Sequence, residues 1–251
     1  MGYILPKKEL RGFLEAVLTK PKTALIAPLL RDCVKFDQVK NKQDLDNLDW
    51  KTLPQFTAKK FFMPAYEPLY TYDREKQKII ASPAADDTTQ VLFGMRLCDL
   101  NAVKVQDRLF LQSEHPDTHY QQRRQRTILI GYYCSMPPSE FCFCGSMKLT
   151  NYYDLMFRDR GKHWFIDVGS DAGEEFIKPY IKKLKLKEAD EGIPPIKTKK
   201  HLKTHDIERF YDYPRWKQVA DNECLSCERC TTLCPTCMCF DAYDKATDDM
   251  T

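Results

Sequence analysis

Cys224 to Cys239 constrains this chain more than any other stretch, because six of its sixteen residues are cysteine. Cys224, Cys227, Cys230 and Cys234 follow C-x2-C-x2-C-x3-C-P. That is the spacing with which a cubane iron–sulfur cluster is ligated. Two-residue gaps let the backbone wrap one face of a compact cluster, so that three thiolates converge on three irons. Pro235 then turns the chain away and stops a helix from running through the site. The segment predicts a [4Fe-4S] cluster, and with it a protein that moves electrons.

Zinc competes for C-x2-C pairs. Zinc ribbons separate two such pairs by a hairpin-length loop, whereas three cysteines at consecutive two-residue gaps before Cys-Pro suit a cubane. A zinc-stabilised structural or interaction module is the alternative from another class. Where one chain holds two clusters, the cysteine before the proline ligates the other cluster. The sequence shows no second triplet up to Thr251. Three arrangements complete the coordination: Cys237 or Cys239 enters it, a second triplet lies downstream of Thr251, or a partner chain supplies the ligands.

The rest of the chain reads as an α/β domain. Pro6 to Leu18 has an apolar face at helical spacing, formed by Leu10, Phe13, Leu14, Val17 and Leu18. Thr23 to Pro28 and Cys33 to Val39 read as short strands. From Asn41 to Tyr72, prolines and aromatics crowd together and predict an ordered loop with few regular elements. Gln90 to Met95 and Thr127 to Tyr133 are apolar runs of buried-strand length, with a helix between them from about Asp99 to Leu111. Strand, helix and strand in that order predict a parallel βαβ unit. Tyr153 to Arg158 and His163 to Val168 predict a hairpin turning at Asp159 to Lys162. A further helix is expected over Glu174 to Leu186, entered after Gly173.

Nine lysines lie between Lys178 and Lys203, against Glu188, Asp190 and Glu191. This stretch, with Gly192, Pro194 and Pro195, reads as a solvated helix face followed by a linker. A docking face for an acidic partner is the sharper alternative. A helical approach from Asp206 to Ala220, interrupted at Pro214, leads into the cysteines. The fold class is therefore α/β, a mixed sheet domain with a parallel βαβ unit over 1–200. A small helical ferredoxin-like iron–sulfur segment follows over 201–251.

Eleven cysteines in a chain with no signal-peptide pattern at Met1 to Lys8 argue for metal ligation over disulfides. Cys98 follows one predicted buried strand and Cys134 the other. As parallel neighbours, those strands deliver both thiols to one carboxyl edge, where α/β folds carry their sites. The loop from Ser135 to Phe141 returns Cys142 and Cys144 to the same edge, so these four thiols predict a second cluster. The bland reading makes some of them small buried hydrophobes. Arg96 would offset part of the anionic charge and is assigned to cofactor binding. Cys33, alone, reads as packing.

No run approaches ~20 apolar residues, so no membrane span is expected. Mean hydropathy of −0.54 leans towards solubility, and the expected location is the cytoplasm. A net charge of +3 is too small to argue for nucleic acid. The His115/His119 and His201/His205 pairs read as surface. No phosphate-cradling loop, nucleophile elbow or acid–base constellation is present, so no catalytic residue is assigned. A flavin-bearing reductase working through the Arg96–Cys98 edge is the remaining alternative.

Four stretches together resemble the iron–sulfur beta subunit of soluble nickel–iron hydrogenases (sulfhydrogenases) and the related subunit of anaerobic sulfite reductases. They are Phe61 to Leu69, Gly94-Met95-Arg96-Leu97-Cys98-Asp99-Leu100, the Gly131 to Met147 loop with its Cys-Phe-Cys, and Cys224 to Asp241. The resemblance implies a cytoplasmic multisubunit oxidoreductase of an anaerobe. It implies a flavin-containing subunit that exchanges electrons with NAD(P)H on one side. On the other side it implies a catalytic or cluster-bearing subunit of hydrogenase or sulfite-reductase type. Family members usually carry a second cysteine triplet, which this sequence lacks.

Overall fold

Short apolar runs, each closed by turn residues, assemble into an eight-stranded mixed sheet. The computed structural model describes residues 2–81, 87–184, 186–189, 196–202 and 207–245. The chain opens with β1 (Gly2–Pro6), a single 3-10 turn and then α1 (Leu10–Leu18). Pro6 thus closes a strand instead of opening the expected helix; without an N–H, it is tolerated at a strand's end. Leu10, Phe13, Leu14 and Val17 are buried along α1, as their spacing predicts. β2 (Thr23–Leu30) and β3 (Val34–Gln38) pair antiparallel.

The proline- and aromatic-rich stretch holds two 3-10 turns, Lys42–Asn47 and Ala58–Phe61. It ends in a separate ribbon of β4 (Tyr70–Asp73) and β5 (Lys78–Ala81). The ribbon was not anticipated. Tyr70, Tyr72, Ile79 and Ile80 all stay exposed, so neither strand carries the in–out alternation that marks a half-buried strand.

β6 (Thr89–Met95), α2 (Leu97–Leu111), α3 (Thr118–Gln125) and β7 (Thr127–Tyr132) make the predicted βαβ unit, with β6 and β7 parallel. The sequence reading missed α3. Its residues, THYQQRRQ, bury only Tyr120, so no apolar stripe announces it. Its signal is the N-cap, where Asp117 accepts from Tyr120 N at 2.7 Å. β8 (Leu155–Asp159) and β9 (His163–Val168) form the expected hairpin, and β8 runs parallel to β7. α4 (Asp171–Lys183) starts at a Ser170 cap, whose hydroxyl accepts from Gly173 N at 3.0 Å. The cap sets the boundary, so Gly173 lies inside the first turn. β10 (Lys187–Ala189) pairs with β1.

The strand order is β10-β1-β9-β8-β7-β6-β2-β3, with β2, β6, β7 and β8 mutually parallel at the centre. Central strands covered on both faces read as continuous apolar runs. Val91, Phe93 and Ile130 point to a core shared with α1 and α4. Leu92, Met95 and Leu129 point to a second core shared with α2 and α3, through Leu100, Val103, Phe110 and Tyr120. Beneath α2, Asp107 is a buried hub. It accepts from Tyr120 Oη at 2.6 Å, from Arg124 Nε at 2.9 Å and from the Tyr152 hydroxyl.

Part of the expected linker, 190–195 and 203–206, lies outside the described residues. What is described is packed. Ile196 lies against the second core, and Thr198 Oγ1 accepts from Gly145 N at 3.2 Å. Further on come a 3-10 turn at Ile207–Phe210, α5 (Pro214–Asn222) and α6 (Arg229–Leu233). Pro214 does not interrupt a helix: it opens α5 at the first helical position, where its missing N–H is harmless. No helix among the described residues is long and apolar enough to cross a membrane.

Candidate functional site

The first thiol set is built by the way β6 ends. Gly94 has φ +87°, and the β6–β7 register shifts between Phe93 and Met95. That backbone favours glycine, and a Cβ there would meet Pro28 Cδ at 3.0 Å. The bulge delivers Arg96, in extended conformation, as the N-cap of α2 and sets Cys98 in the first helical turn. Leu100 anchors that turn in the second core.

Cys134 follows β7 and so emerges beside Cys98 at the carboxyl edge. The loop beyond it turns where Cys142 N donates to Ser139 O at 3.1 Å. Its return leg is pinned to α2. Asn101 Nδ2 donates to Thr150 O at 2.9 Å, Thr150 N donates to Asn101 Oδ1 at 3.1 Å, and Lys104 Nζ donates to Thr150 Oγ1 at 2.8 Å. Neither Asn101 nor Lys104 was singled out in the sequence, where each is one polar residue on a helix.

Cys98, Cys134, Cys142 and Cys144 lie within electrostatic reach of their neighbours at this edge. The interaction between the Cys98 and Cys144 thiols holds Cys98 far above its usual range and draws Cys144 down to about 7. Cys134 feels both Cys144 and Cys142; burial pushes it up, against the pull of Arg96. Arg96 Nη1 donates to Cys134 Sγ at 3.4 Å. The guanidinium is 3% exposed, held by the carbonyl oxygens of Trp50 and Lys51, and lies 4.5 Å over the Tyr132 ring. Its Nε is buried with no hydrogen-bond partner. Burial also raises the Asp99 carboxyl to about 6, against the Arg96 backbone N–H and charge.

Among the described residues, no group of three or more His, Cys, Asp or Glu side chains closes on a point as a single metal ion requires. Zinc holds its sulfurs about 2.3 Å from one centre, whereas a cubane spreads its ligands over separate corners. The buried Arg96 guanidinium beside Cys134, with its unused Nε–H, suits an anionic group at this edge.

The second set lies in a different setting. Cys224, Cys227, Cys230 and Cys239 are exposed, and Cys234 and Cys237 half-buried. Ser226 and Glu228 adopt left-handed φ of 50° and 56°, which coils the loop. Ser226 N thereby donates to Cys224 Sγ at 3.4 Å. Thr236 Oγ1 lies 3.2 Å from Cys234 Sγ, and this contact chiefly draws that thiol below its usual range.

Lys59, Gln106 and Met238 help fasten the segment to the α/β body. Lys59 Nζ donates to Thr231 O at 2.7 Å and to Cys234 O at 3.1 Å. Gln106 Nε2 donates to Pro235 O at 2.8 Å. Met238 packs on the second core. Elsewhere, Cys33 is half-buried ahead of β3, and His119 faces Glu67, which Arg123 also holds. His205 lies outside the described residues.

A mixed α/β body with one thiol set at its central sheet edge and another in a docked segment defines the class: a cysteine-rich α/β protein. No protein-family model matches the chain. It is similar to the Sulfhydrogenase 2 subunit beta of Pyrococcus furiosus, 29% identical over 236 residues, covering 84% of this chain. That similarity supports a family relationship with hydrogenase beta subunits, in keeping with the motif resemblance. The chain spans 64% of the relative's length.

Proposed function

We propose that this chain is an electron-transfer iron–sulfur subunit of a cytoplasmic multisubunit oxidoreductase. It links a flavin-containing subunit, which exchanges electrons with NAD(P)H, to a catalytic or cluster-bearing subunit of hydrogenase or sulfite-reductase type. The observation that carries this reading is the grouping of Cys98, Cys134, Cys142 and Cys144 beside buried Arg96. The spacing of Cys224, Cys227, Cys230 and Cys234 and the similarity to a sulfhydrogenase beta subunit support it independently.

[4Fe-4S] clusters at these two sets would supply reversible one-electron oxidation and reduction. The chain's own residues do the rest. Cys98, Cys134, Cys142 and Cys144 would hold one cluster. Cys224, Cys227 and Cys230, completed by Cys234, Cys237 or Cys239, would hold the other. Arg96 lowers the cost of gathering thiolates at a half-buried edge, because a buried cation compensates buried anions that would otherwise be expensive.

The surface around the second set suits subunit contact. Leu225 is 88% exposed, and Trp216, Phe240 and Tyr243 also face solvent. Such apolar side chains around one site mark a surface that partners cover. The deciding experiment measures iron, acid-labile sulfide and zinc on anaerobically purified protein, alongside an electron-spin-resonance spectrum. Iron and sulfide in equal amounts are expected. Zinc without sulfide would replace this reading with a structural module, and a co-purifying flavin would favour a reductase.

A further inference from the structure

The cysteine segment touches the α/β body at few points, and one of those points is a cation. Lys59 lies in the 3-10 turn Ala58–Phe61, where its own N–H donates to Thr57 Oγ1 at 3.2 Å. Ala58 before it is buried in the second core, as is Phe62 just beyond the turn. The backbone of Lys59 is therefore fixed by the body. From there its ammonium reaches across to the carbonyl oxygens of Thr231, at 2.7 Å, and Cys234, at 3.1 Å.

Both carbonyls belong to the end of α6, where the last turn leaves its C=O groups without intrahelical partners. A cation at that end satisfies them and complements the helix dipole. It also sets a full positive charge against the backbone of a predicted ligand cysteine. A cluster becomes more negative on reduction, so a nearby cation stabilises the reduced form and raises the midpoint potential. Lys60, the next residue, is exposed and lies over the Phe61 ring instead.

We propose that Lys59 is a positioning residue of the Cys224–Cys234 cluster site, fixing the Cys234–Pro235 turn and biasing the cluster there towards its reduced state. This rests on the iron–sulfur reading above. At an effective dielectric near 20, one unit charge about 12 Å from the cluster would be worth on the order of a tenfold change in the reduction equilibrium.

The test is a redox titration followed by electron-spin resonance on the full chain, prepared anaerobically. It compares wild type, Lys59→Met, Lys59→Arg and Lys60→Met. The signal abolished by Cys227→Ala marks the relevant cluster. Lys59→Met is expected to lower its reduction equilibrium about tenfold, which is 59 mV for one electron. Lys59→Arg should restore it and Lys60→Met should leave it unmoved, while the other signal stays put in every variant.

A Lys59→Met midpoint equal to wild type, or a shift that Lys60→Met reproduces, overturns the proposal with the cluster reading intact. Wild type devoid of iron and sulfide overturns the cluster reading itself. Should Lys59→Met fail to load, Lys59→Gln is read by the same criteria.

Discussion

The two thiol sets show two ways of making a sulfur-rich site. At the sheet edge the fold comes first: a bulge at Gly94, a capped helix and a loop pinned by Asn101 bring half-buried cysteines together. In the carboxyl segment the order is reversed. Two short helices and mostly exposed cysteines bury little apolar surface, and contacts from Lys59, Gln106 and Met238 help tie them down. Binding energy at such a site is largely folding energy, because the apo segment has little else to hold it. The first set is an outcome of the core; the second has little core of its own.

Single cysteine replacements break this comparison most directly. Cys227→Ala should abolish one electron-spin-resonance signal completely and leave the thermal unfolding of the α/β body unchanged. Cys98→Ala should abolish the other signal and also cost the body about 1 kcal/mol, since it removes a partly buried side chain. Proteolysis after chelation should cut the carboxyl segment first. A body that melts earlier in Cys227→Ala would show that the two regions fold as one.

The body's own dependence on its buried polar hub is next in size. Asp107→Ala leaves the Arg124 guanidinium, which is mostly buried, without its carboxylate, and two tyrosine hydroxyls without their acceptor. Stranding a buried charge costs about 3–5 kcal/mol, read as a drop in unfolding free energy by urea titration. A loss below about 1 kcal/mol would mean the hub does not hold α2 and α3. Gly94→Ala is smaller, at about 1–3 kcal/mol for forcing a side chain into a left-handed backbone. It sharpens the comparison because it should cut iron at the sheet-edge set alone.

The sequence made the buried elements of this fold legible. β6 and β7 are covered on both faces and so appear as apolar runs, and the β8–β9 hairpin is marked by its turn residues. Elements without a buried face left little trace: α3 buries one tyrosine, and β4 and β5 expose their large side chains. The placement of Cys98 and Cys134 past the ends of β6 and β7 could be reasoned out, because parallel neighbours must end at the same side. Lys59, Gln106 and Asn101 could not. Their roles come from contacts across 172, 129 and 49 residues, which no local pattern encodes.

Gln106→Leu is the smallest change and separates docking from folding most cleanly. The side chain is 1% exposed; Nε2 donates to Pro235 O, while Oε1 is buried with no hydrogen-bond partner. Leucine forfeits one hydrogen bond, worth about 0.5–1.5 kcal/mol, and removes a buried unsatisfied oxygen that costs about 1–3 kcal/mol. The second term outweighs the first for the body, whose unfolding free energy should hold or rise by up to about 1 kcal/mol. The carboxyl segment loses its donor without that compensation. Amide exchange at Cys237, which donates to Cys234 O at 3.3 Å, should therefore accelerate about fivefold, as a lost bond of about 1 kcal/mol dictates. A body destabilised by more than about 2 kcal/mol with unchanged exchange at Cys237 would reverse the assignment: Gln106 would then serve the core, and the segment would be held without it.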